Sequence, residues 1–346
     1  MTEVAVEIRG VYKIFGPNPT SAIDLVKNGL SKQELMDGHG HVLGLENVDI
    51  DILTHGVQVI MGLSGSGKST LIRHINRLIE PTAGEIIVQG RNVLEMSKTE
   101  LRNFRRFKTS MVFQKFSLLP HRSVADNVVY GLKIQNVDKE LAVKRSHKWI
   151  DRVGLSGFEN YYPSQLSGGM QQRVGLARAL ATDADILLMD EPFSALDPLI
   201  RTDMQDILLG LQEELSKTIV FITHDLDEAL RIGDNVAILR DGVIVQKGSP
   251  QNIILNPANE YVAAFTKDIN RGRVLQIGSI MDRETIRGGL EIEHKMVLED
   301  ALQILIKANV KRANVMQNFQ PIGTIDLYKM IRALAPPDAT GGPHDH

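Results

Sequence analysis

The sequence contains no cysteine. This absence excludes disulfide bonds, zinc sites with thiolate ligands and catalytic cysteines, and it is compatible with a reducing cytoplasm. The sequence also has no apolar stretch near the ~18 residues that a membrane-spanning helix requires, and its first residues do not resemble a signal peptide. We therefore expect that the chain does not cross a membrane by itself.

The chain also has no excess of basic charge. Its 39 basic and 42 acidic residues give a net charge of −3, so no overall nucleic-acid-binding surface is expected. The most basic stretch, Arg102 to Lys108, is interpreted as a solvated helix face, with docking near anionic lipid or a partner protein as the alternative. A length of 346 residues, with 43% hydrophobic and 23% charged residues, is typical of a globular chain with two domains.

A glycine-rich loop is the first motif that predicts chemistry. The pattern G-x-x-x-x-G-K-[ST] and the residue after it comprise Gly62, Leu63, Ser64, Gly65, Ser66, Gly67, Lys68, Ser69 and Thr70. A buried strand over 57–61 and a helix over 70–79 are predicted on either side, which is the context that a phosphate-binding loop needs. Lys68 can then reach the β- and γ-phosphates of a nucleotide, and the Ser69 hydroxyl suits Mg²⁺. A plain glycine and serine turn would not account for this combination.

A second motif, Asp190-Glu191, follows the apolar run 185–189. The run predicts a central parallel strand, and ligands of open α/β sheets bind at the carboxyl ends of such strands. Asp190 suits the Mg²⁺ shell, and Glu191 suits the base that polarises an attacking water. Without the glycine-rich loop, a solvated strand end would be the preferred interpretation of the two carboxylates.

A third motif, Leu166-Ser-Gly-Gly-Met-Gln171, precedes a predicted helix over 172–181. Followed by an apolar-Asp-Glu strand, it resembles the signature of the ATP-binding-cassette (ABC) ATPases, and the resemblance covers about residues 4–267. In that family Phe15 corresponds to the aromatic residue that stacks on adenine, Gln114 to the lid glutamine and His224 to the switch histidine. Ser194-Ala-Leu-Asp197 is similar to the dimer-contact loop of the family.

The resemblance implies ATP and Mg²⁺ as cofactors and assigns the remaining roles. The implied catalytic residues are Glu191, His224, Lys68 and Gln114, and the implied metal ligands are Ser69, Gln114 and Asp190. The nucleotide contacts would also include Ser167, Gly168, Gly169 and Gln171, which provide a second anion site at a helix N-terminus. One chain then carries two halves of one phosphate site, which implies a head-to-tail dimer with ATP between two copies. An ordinary helix cap is the alternative for Ser167.

An insertion over 17–42 interrupts the first strand pair. Together with segments such as Phe193-Ser-Ala-Leu-Asp-Pro-Leu-Ile-Arg201, it makes the chain similar to the ATPases of glycine betaine, proline betaine or choline uptake systems. Such a subunit would lie peripherally on the cytoplasmic face of the inner membrane, with an integral membrane permease as its partner and an extracytoplasmic solute-binding protein acting indirectly. No nucleic-acid partner is expected. The alternative is a soluble cassette ATPase acting on nucleic acid or ribosomes, and the choice of osmolyte stays open.

The predicted fold class is α/β, an ABC-type P-loop NTPase over 1–267. It would have a RecA-like core, an antiparallel β subdomain with strands from 4–15 and 43–61, and a helical signature subdomain over about 115–180. Residues 268–335 are expected to form a small α+β unit, because a helix, two strands around a turn and a final helix capped by Asp326 resemble one cystathionine-β-synthase (CBS) motif. The helix would bury Leu298, Ala301, Leu302, Leu305 and Ile306 on one face. Residues 336–346 are expected to be a disordered tail.

Overall fold

The computed structural model describes residues 3–114, 117–286 and 288–335. It divides into two compact units, one ending at Val245 and one starting at Gln246. The strands are β1 (Val4–Phe15), β2 (Val42–Leu53), β3 (Val57–Met61), β4 (Ala83–Val88), β5 (Arg91–Asn92), β6 (Thr109–Val112), β7 (Ile186–Asp190), β8 (Thr218–Thr223), β9 (Asn235–Arg240), β10 (Val243–Gly248), β11 (Glu291–Glu293), β12 (Arg312–Gln317) and β13 (Gln320–Asp326).

The α-helices connect these strands and surround the sheets. They are α1 (Ile23–Lys27), α2 (Lys32–His39), α3 (Lys68–Ile75), α4 (Lys98–Phe107), α5 (Val124–Ile134), α6 (Lys139–Arg152), α7 (Gly168–Ala181), α8 (Pro198–Leu215), α9 (Leu226–Ile232), α10 (Pro250–Leu255), α11 (Glu260–Thr266), α12 (Arg271–Val274), α13 (Leu298–Lys307) and α14 (Leu327–Leu334). Across the described residues, no helix has both the length and the apolar content needed to span a bilayer.

A six-stranded sheet forms the centre of the first unit, in the order β10-β9-β3-β8-β7-β6. The pairs β9·β3, β3·β8, β8·β7 and β7·β6 are parallel. Every residue of β3, β7 and β8 is buried, because these strands are covered on both faces, and this explains their continuous apolar runs. Parallel strands of this kind bring the ends of β3, β7 and β8 to one edge of the sheet.

A second, antiparallel sheet has the order β2-β1-β4-β5. Residues 43–61 were predicted to belong to this sheet as a whole, and that prediction is wrong for β3. The chain turns after Leu53, where His55 adopts a positive φ of 60°, and β3 then enters the parallel sheet. Strand β2 therefore pairs with β1, and strand β3 leads into the glycine-rich loop.

The region between β6 and β7 is mainly helical. Helices α5, α6 and α7 pack on one another over 124–181, within the part of the chain that the sequence pattern predicts to be helical. Their contacts bury apolar residues such as Val128, Leu132, Ile150 and Val174. The signature motif therefore lies at the start of the last of these three helices.

The second unit begins before the boundary that the sequence predicted at 267/268. Helix α10 belongs to it, since the Gln251 side chain bonds Val274 and Gln276, and Arg271 donates to the carbonyl oxygen of Ile254 at 2.9 Å. Local periodicity does not detect such contacts between segments some twenty residues apart.

A three-stranded sheet, β11-β12-β13, forms the centre of this unit. Strands β11 and β12 are parallel, and strands β12 and β13 are antiparallel. Helix α13 buries Leu298, Ala301 and Leu305, but Ile306 is 66% exposed, so its predicted place on the buried face is wrong. Asp326 caps α14 by accepting from the Lys329 backbone N–H at 2.8 Å. The predicted disordered tail, 336–346, lies outside the described residues.

Candidate active site

The glycine-rich loop connects β3 to α3 in a conformation that its glycines permit. Gly62, Gly65 and Gly67 have φ values of 153°, 80° and 104°. A Cβ at Gly67 would lie 2.6 Å from the carbonyl oxygen of Gly44, so a larger residue would force the loop to move. The hydroxyl of Ser66 is buried without a hydrogen-bond partner, and the loop ends at the N-terminus of α3. A helix N-terminus of this kind favours a bound anion.

Lys68 is the cation of the site. Its side chain is 4% exposed, and its Nζ donates to the carbonyl oxygens of Gly62 at 2.8 Å and Leu63 at 3.0 Å. Burial lowers the pKa of Lys68 below its ordinary value, while the negative charges of Glu191 and Asp190 oppose that shift. Nζ lies 3.6 Å from Glu191 Oε1, so the ammonium stands between the loop and a carboxylate.

Two oxygen donors meet where β7 ends beside α3. Ser69 Oγ donates to Asp190 Oδ1 at 2.7 Å, and Arg73 Nη2 donates to Asp190 Oδ2 at 3.0 Å. Asp190 is 2% exposed, so Arg73 compensates a carboxylate that has little access to water. A hydroxyl and a carboxylate are hard oxygen donors, and Mg²⁺ is commonly held by a few such groups together with phosphate oxygens. The donor set therefore fits Mg²⁺.

Glu191 joins residues from three other segments. Its Oε2 accepts from Gln114 Nε2 at 2.8 Å and lies 3.5 Å from His224 Nδ1, while its Oε1 faces Lys68. The backbone supports this position, because Glu191 has a positive φ of 46° and its N–H donates to the carbonyl oxygen of Ile222. Three of the four residues predicted to be catalytic, Lys68, Gln114 and His224, thus surround the carboxylate of the fourth, Glu191.

A cavity of about 350 Å³ opens in front of this group. It is lined by Phe15, Lys32, Val42, Leu43, Gly44, Ser64, Gly65, Gly67, Lys68, Ser69, Thr70, Gln114 and Glu191. Phe15 is 40% exposed and its ring lies over Gly44, where a Cβ would come within 2.8 Å of Cε2. Asp190 and His224 do not line this cavity. Each contacts a residue that does, since Asp190 accepts from Ser69 and His224 lies beside Glu191.

Sequence reasoning missed four residues of this wall, Lys32, Val42, Leu43 and Gly44. They lie in or directly after the insertion, which carries no recognisable motif. The available signal was the strand pairing, because Phe15 of β1 is opposite Val42 of β2. The insertion therefore leaves β1 and returns to β2 beside two residues of the cavity wall, Phe15 and Val42.

The signature residues lie elsewhere on the chain. Ser167 caps α7 by accepting from the Met170 N–H at 3.3 Å, and the Gln171 amide donates to the carbonyl oxygen of Leu166 at 3.2 Å. Ser167 and Gly168 are exposed, and Gly169 is half-buried. Neither these three residues nor Gln171 lines the cavity that contains the glycine-rich loop.

Comparisons with known proteins agree with this geometry. A family model described as ABC transporter matches residues 45–194. The glycine betaine transport ATP-binding protein OpuAA of Bacillus subtilis is 54% identical over 285 residues, which cover 82% of this chain and 68% of the relative. The trimethylamine N-oxide transport system ATP-binding protein TmoW of Pelagibacter ubique is 41% identical and is covered almost completely, with 96% of this chain matching 98% of the relative.

A solved structure extends the comparison to the fold. A dimeric ATP-binding cassette in a post-hydrolysis state, bound to ADP and phosphate, is 32% identical, with a TM-score of 0.61 over 71% of this chain and 98% of that chain. The first unit therefore has the fold of an ABC ATPase that binds adenine nucleotide. Because the two curated relatives are transport proteins, the alternative function on nucleic acid or ribosomes is not supported.

Proposed function

Because the chain belongs to the ATP-binding subunits of ABC transporters, we propose that its ATPase activity energises the uptake of a small osmolyte with a fully substituted nitrogen. Glycine betaine is the first candidate, and proline betaine and choline belong to the same class. The observation that carries the proposal is the meeting of Lys68, Gln114 and His224 at Glu191, in a chain 54% identical to a glycine betaine transport protein.

The residues of the cavity divide the work of hydrolysis. Lys68 and the N–H groups of the glycine-rich loop hold the β- and γ-phosphates. Ser69, Asp190 and Gln114 are the proposed Mg²⁺ ligands, and the metal ion when bound would neutralise developing charge on the phosphates. Glu191 orients the attacking water and accepts its proton, while Gln114 and His224 fix the carboxylate and sense the γ-phosphate.

A second copy of the chain completes the site. Ser167, Gly168, Gly169 and Gln171 present the N-terminus of α7, but they do not line their own chain's cavity. Support for a head-to-tail dimer also comes from the dimeric state of the solved cassette. A Lys68→Ala chain mixed with a Ser167→Arg chain should give heterodimers with one intact and one doubly damaged site. If each of the two sites in crosslinked heterodimers carries one of the two substitutions, so that neither site is intact, the head-to-tail arrangement is wrong.

The membrane partners follow from the transport role. An integral membrane permease binds the ATPase at the cytoplasmic face of the membrane, and a solute-binding protein outside delivers the osmolyte. Purification of the tagged chain in mild detergent tests this assignment. Recovery of a polytopic membrane protein supports it, and recovery of ribosomes or DNA overturns it.

The second unit is proposed to be a CBS-like module that regulates the ATPase or holds the dimer together. Support comes from its strand–helix–strand–strand–helix order around a three-stranded sheet and from the small core that a single such unit buries. Truncation after Gly248, which keeps β10 and removes α10 and everything after it, should preserve basal hydrolysis but change the salt dependence of uptake. If dimerisation alone weakens, the unit is a clamp, and if neither changes, the proposal for this unit fails.

A second relative supplies a second candidate solute, trimethylamine N-oxide. The chain is 41% identical to the trimethylamine N-oxide transport protein TmoW over 336 residues. Both solutes carry a nitrogen without a proton, and only glycine betaine carries a carboxylate. Stimulation of ATP hydrolysis in the complete reconstituted complex by one solute and not the other distinguishes the two.

A further inference from the structure

The insertion over 17–42 contributes a charged side chain to the nucleotide cavity. Lys32, the first residue of α2, lines the cavity together with Phe15, Val42 and Gly44, and residues of the glycine-rich loop line it as well. Its side chain is half-buried. Across the described residues Lys32 has no hydrogen bond or ion pair, whereas nearby Lys13 donates to the carbonyl oxygen of Glu80.

A small hydrophobic core fixes the insertion on the strands of the cavity wall. It consists of Ile14, Ala22, Ile23, Val26, Leu35 and Leu43, all buried. Leu35 is on the same side of α2 as Lys32, three residues later, and it is completely buried. Ile14 and Leu43 directly adjoin Phe15 and Gly44 in sequence. The core that holds α2 is therefore continuous with the strands that carry the cavity wall.

Hydrogen bonds fix the two ends of the helix that carries Lys32. Ser31 and Glu34 form a capping box, with the Ser31 N–H donating to Glu34 Oε2 at 2.9 Å and the Glu34 N–H donating to Ser31 Oγ at 3.3 Å. After α2, the His41 ring lies with Nδ1 2.7 Å from the carbonyl oxygen of His39 and Nε2 2.6 Å from that of Pro17. The Lys32 backbone is thus held in place before any ligand binds.

We propose that Lys32 is a nucleotide-binding residue, supplied by the insertion, that contacts the adenosine end of the nucleotide. The inference rests on the proposed function of the cavity. Lys32 lies on the wall that carries Phe15, while Lys68 is on the loop that takes the phosphates. An ammonium group has three donors for ribose hydroxyls and ring nitrogens, and its charge favours a polyanionic ligand. Lys32 therefore increases affinity for ATP and ADP alike.

Titration calorimetry on the full chain tests this role with unlabelled ADP and with the non-hydrolysable ATP analogue AMP-PNP. Lys32→Ala should raise both Kd values by the same factor, about three- to tenfold, which is the range for one partly exposed charged contact. Lys27→Ala is the matched control, because it removes the same charge from the same insertion at a side chain that lies over Tyr12, 5.8 Å from the ring centroid. Lys32→Arg should retain most of the affinity.

Three outcomes would overturn the inference or separate it from the proposed function. If Lys32→Ala binds as well as Lys27→Ala, Lys32 does not contact nucleotide. A larger loss for AMP-PNP than for ADP would move the contact to the γ-phosphate and refute the adenosine-end assignment. If Lys68→Ala also binds nucleotide normally, the proposed function of the cavity fails. If Lys68→Ala loses nucleotide affinity while Lys32→Ala keeps it, only the role of Lys32 is refuted. A thermal melt identifies any variant that has lost its fold, and Lys32→Gln then replaces Lys32→Ala.

Discussion

Replacement of Glu191 by glutamine separates nucleotide binding from hydrolysis. The glutamine keeps the shape of the side chain, and its carbonyl oxygen can still accept the Gln114 N–H that now lies 2.8 Å from Oε2. It cannot accept a proton from water. Loss of a general base costs about 10²- to 10⁴-fold in rate, which corresponds to roughly 3–5 kcal/mol of transition-state stabilisation.

Affinity should respond differently. Glu191 places a negative charge 3.6 Å from Lys68 Nζ, next to the loop that takes the phosphates. Removing this charge leaves the Lys68 ammonium free to pair with phosphate, so the Kd for AMP-PNP should stay the same or fall. The ATP-bound dimer should accumulate, because hydrolysis no longer opens it.

Phosphate release at saturating ATP measures the rate of hydrolysis. Calorimetry measures the Kd for AMP-PNP, and light scattering measures the amount of dimer. Glu85→Gln is the matched control, since Glu85 is an exposed residue of β4 outside the cavity. Hydrolysis by Glu191→Gln within about tenfold of the wild type would refute the assignment of Glu191 as the base.

Three further predictions concern the stability and shape of the site. Burial lowers the pKa of His74 from 6.5 to about 4, so the stability that it contributes above pH 6.5 should be lost as the pH falls towards 4, by about 3 kcal/mol in all; urea unfolding of His74→Asn should lack this slope, and an unchanged slope contradicts it. Leu35→Ala should lower the free energy of unfolding by about 2–5 kcal/mol, because it leaves a cavity in the core of the insertion; a loss under about 1 kcal/mol in urea unfolding would mean that this core is loose. Gly67→Ala should abolish measurable nucleotide binding in calorimetry, since its Cβ would meet the Gly44 carbonyl oxygen, and normal binding would refute the loop geometry.

Motifs predicted the site well where chemistry dictates residue type and spacing. The glycine-rich loop, Asp190 and Glu191 are local patterns, and the structure brings Gln114 to Glu191 although 77 residues separate them. The roles assigned to these residues stay predictions. The positive φ of Glu191 has no sequence signal, because glutamate rarely adopts that conformation.

Elements that depend on tertiary contacts could not be predicted. Lys32 belongs to a segment without a motif, and it reaches the cavity only because β1 and β2 pair with Phe15 opposite Val42. Strand β11 has a single buried residue, Ile292, which is too little alternation for a periodicity argument. Ile306 fits the helical period of its neighbours, yet it is exposed, since helical spacing alone does not say how wide a buried face is.

The most direct test of the central claim is uptake of radiolabelled glycine betaine into vesicles that contain the complete reconstituted transporter, with ATP on the side of this subunit. We expect uptake that requires ATP, disappears in Glu191→Gln and persists in Glu85→Gln. Uptake that continues in Glu191→Gln, or a complex that hydrolyses ATP at the wild-type rate while moving neither glycine betaine nor trimethylamine N-oxide, would contradict the account.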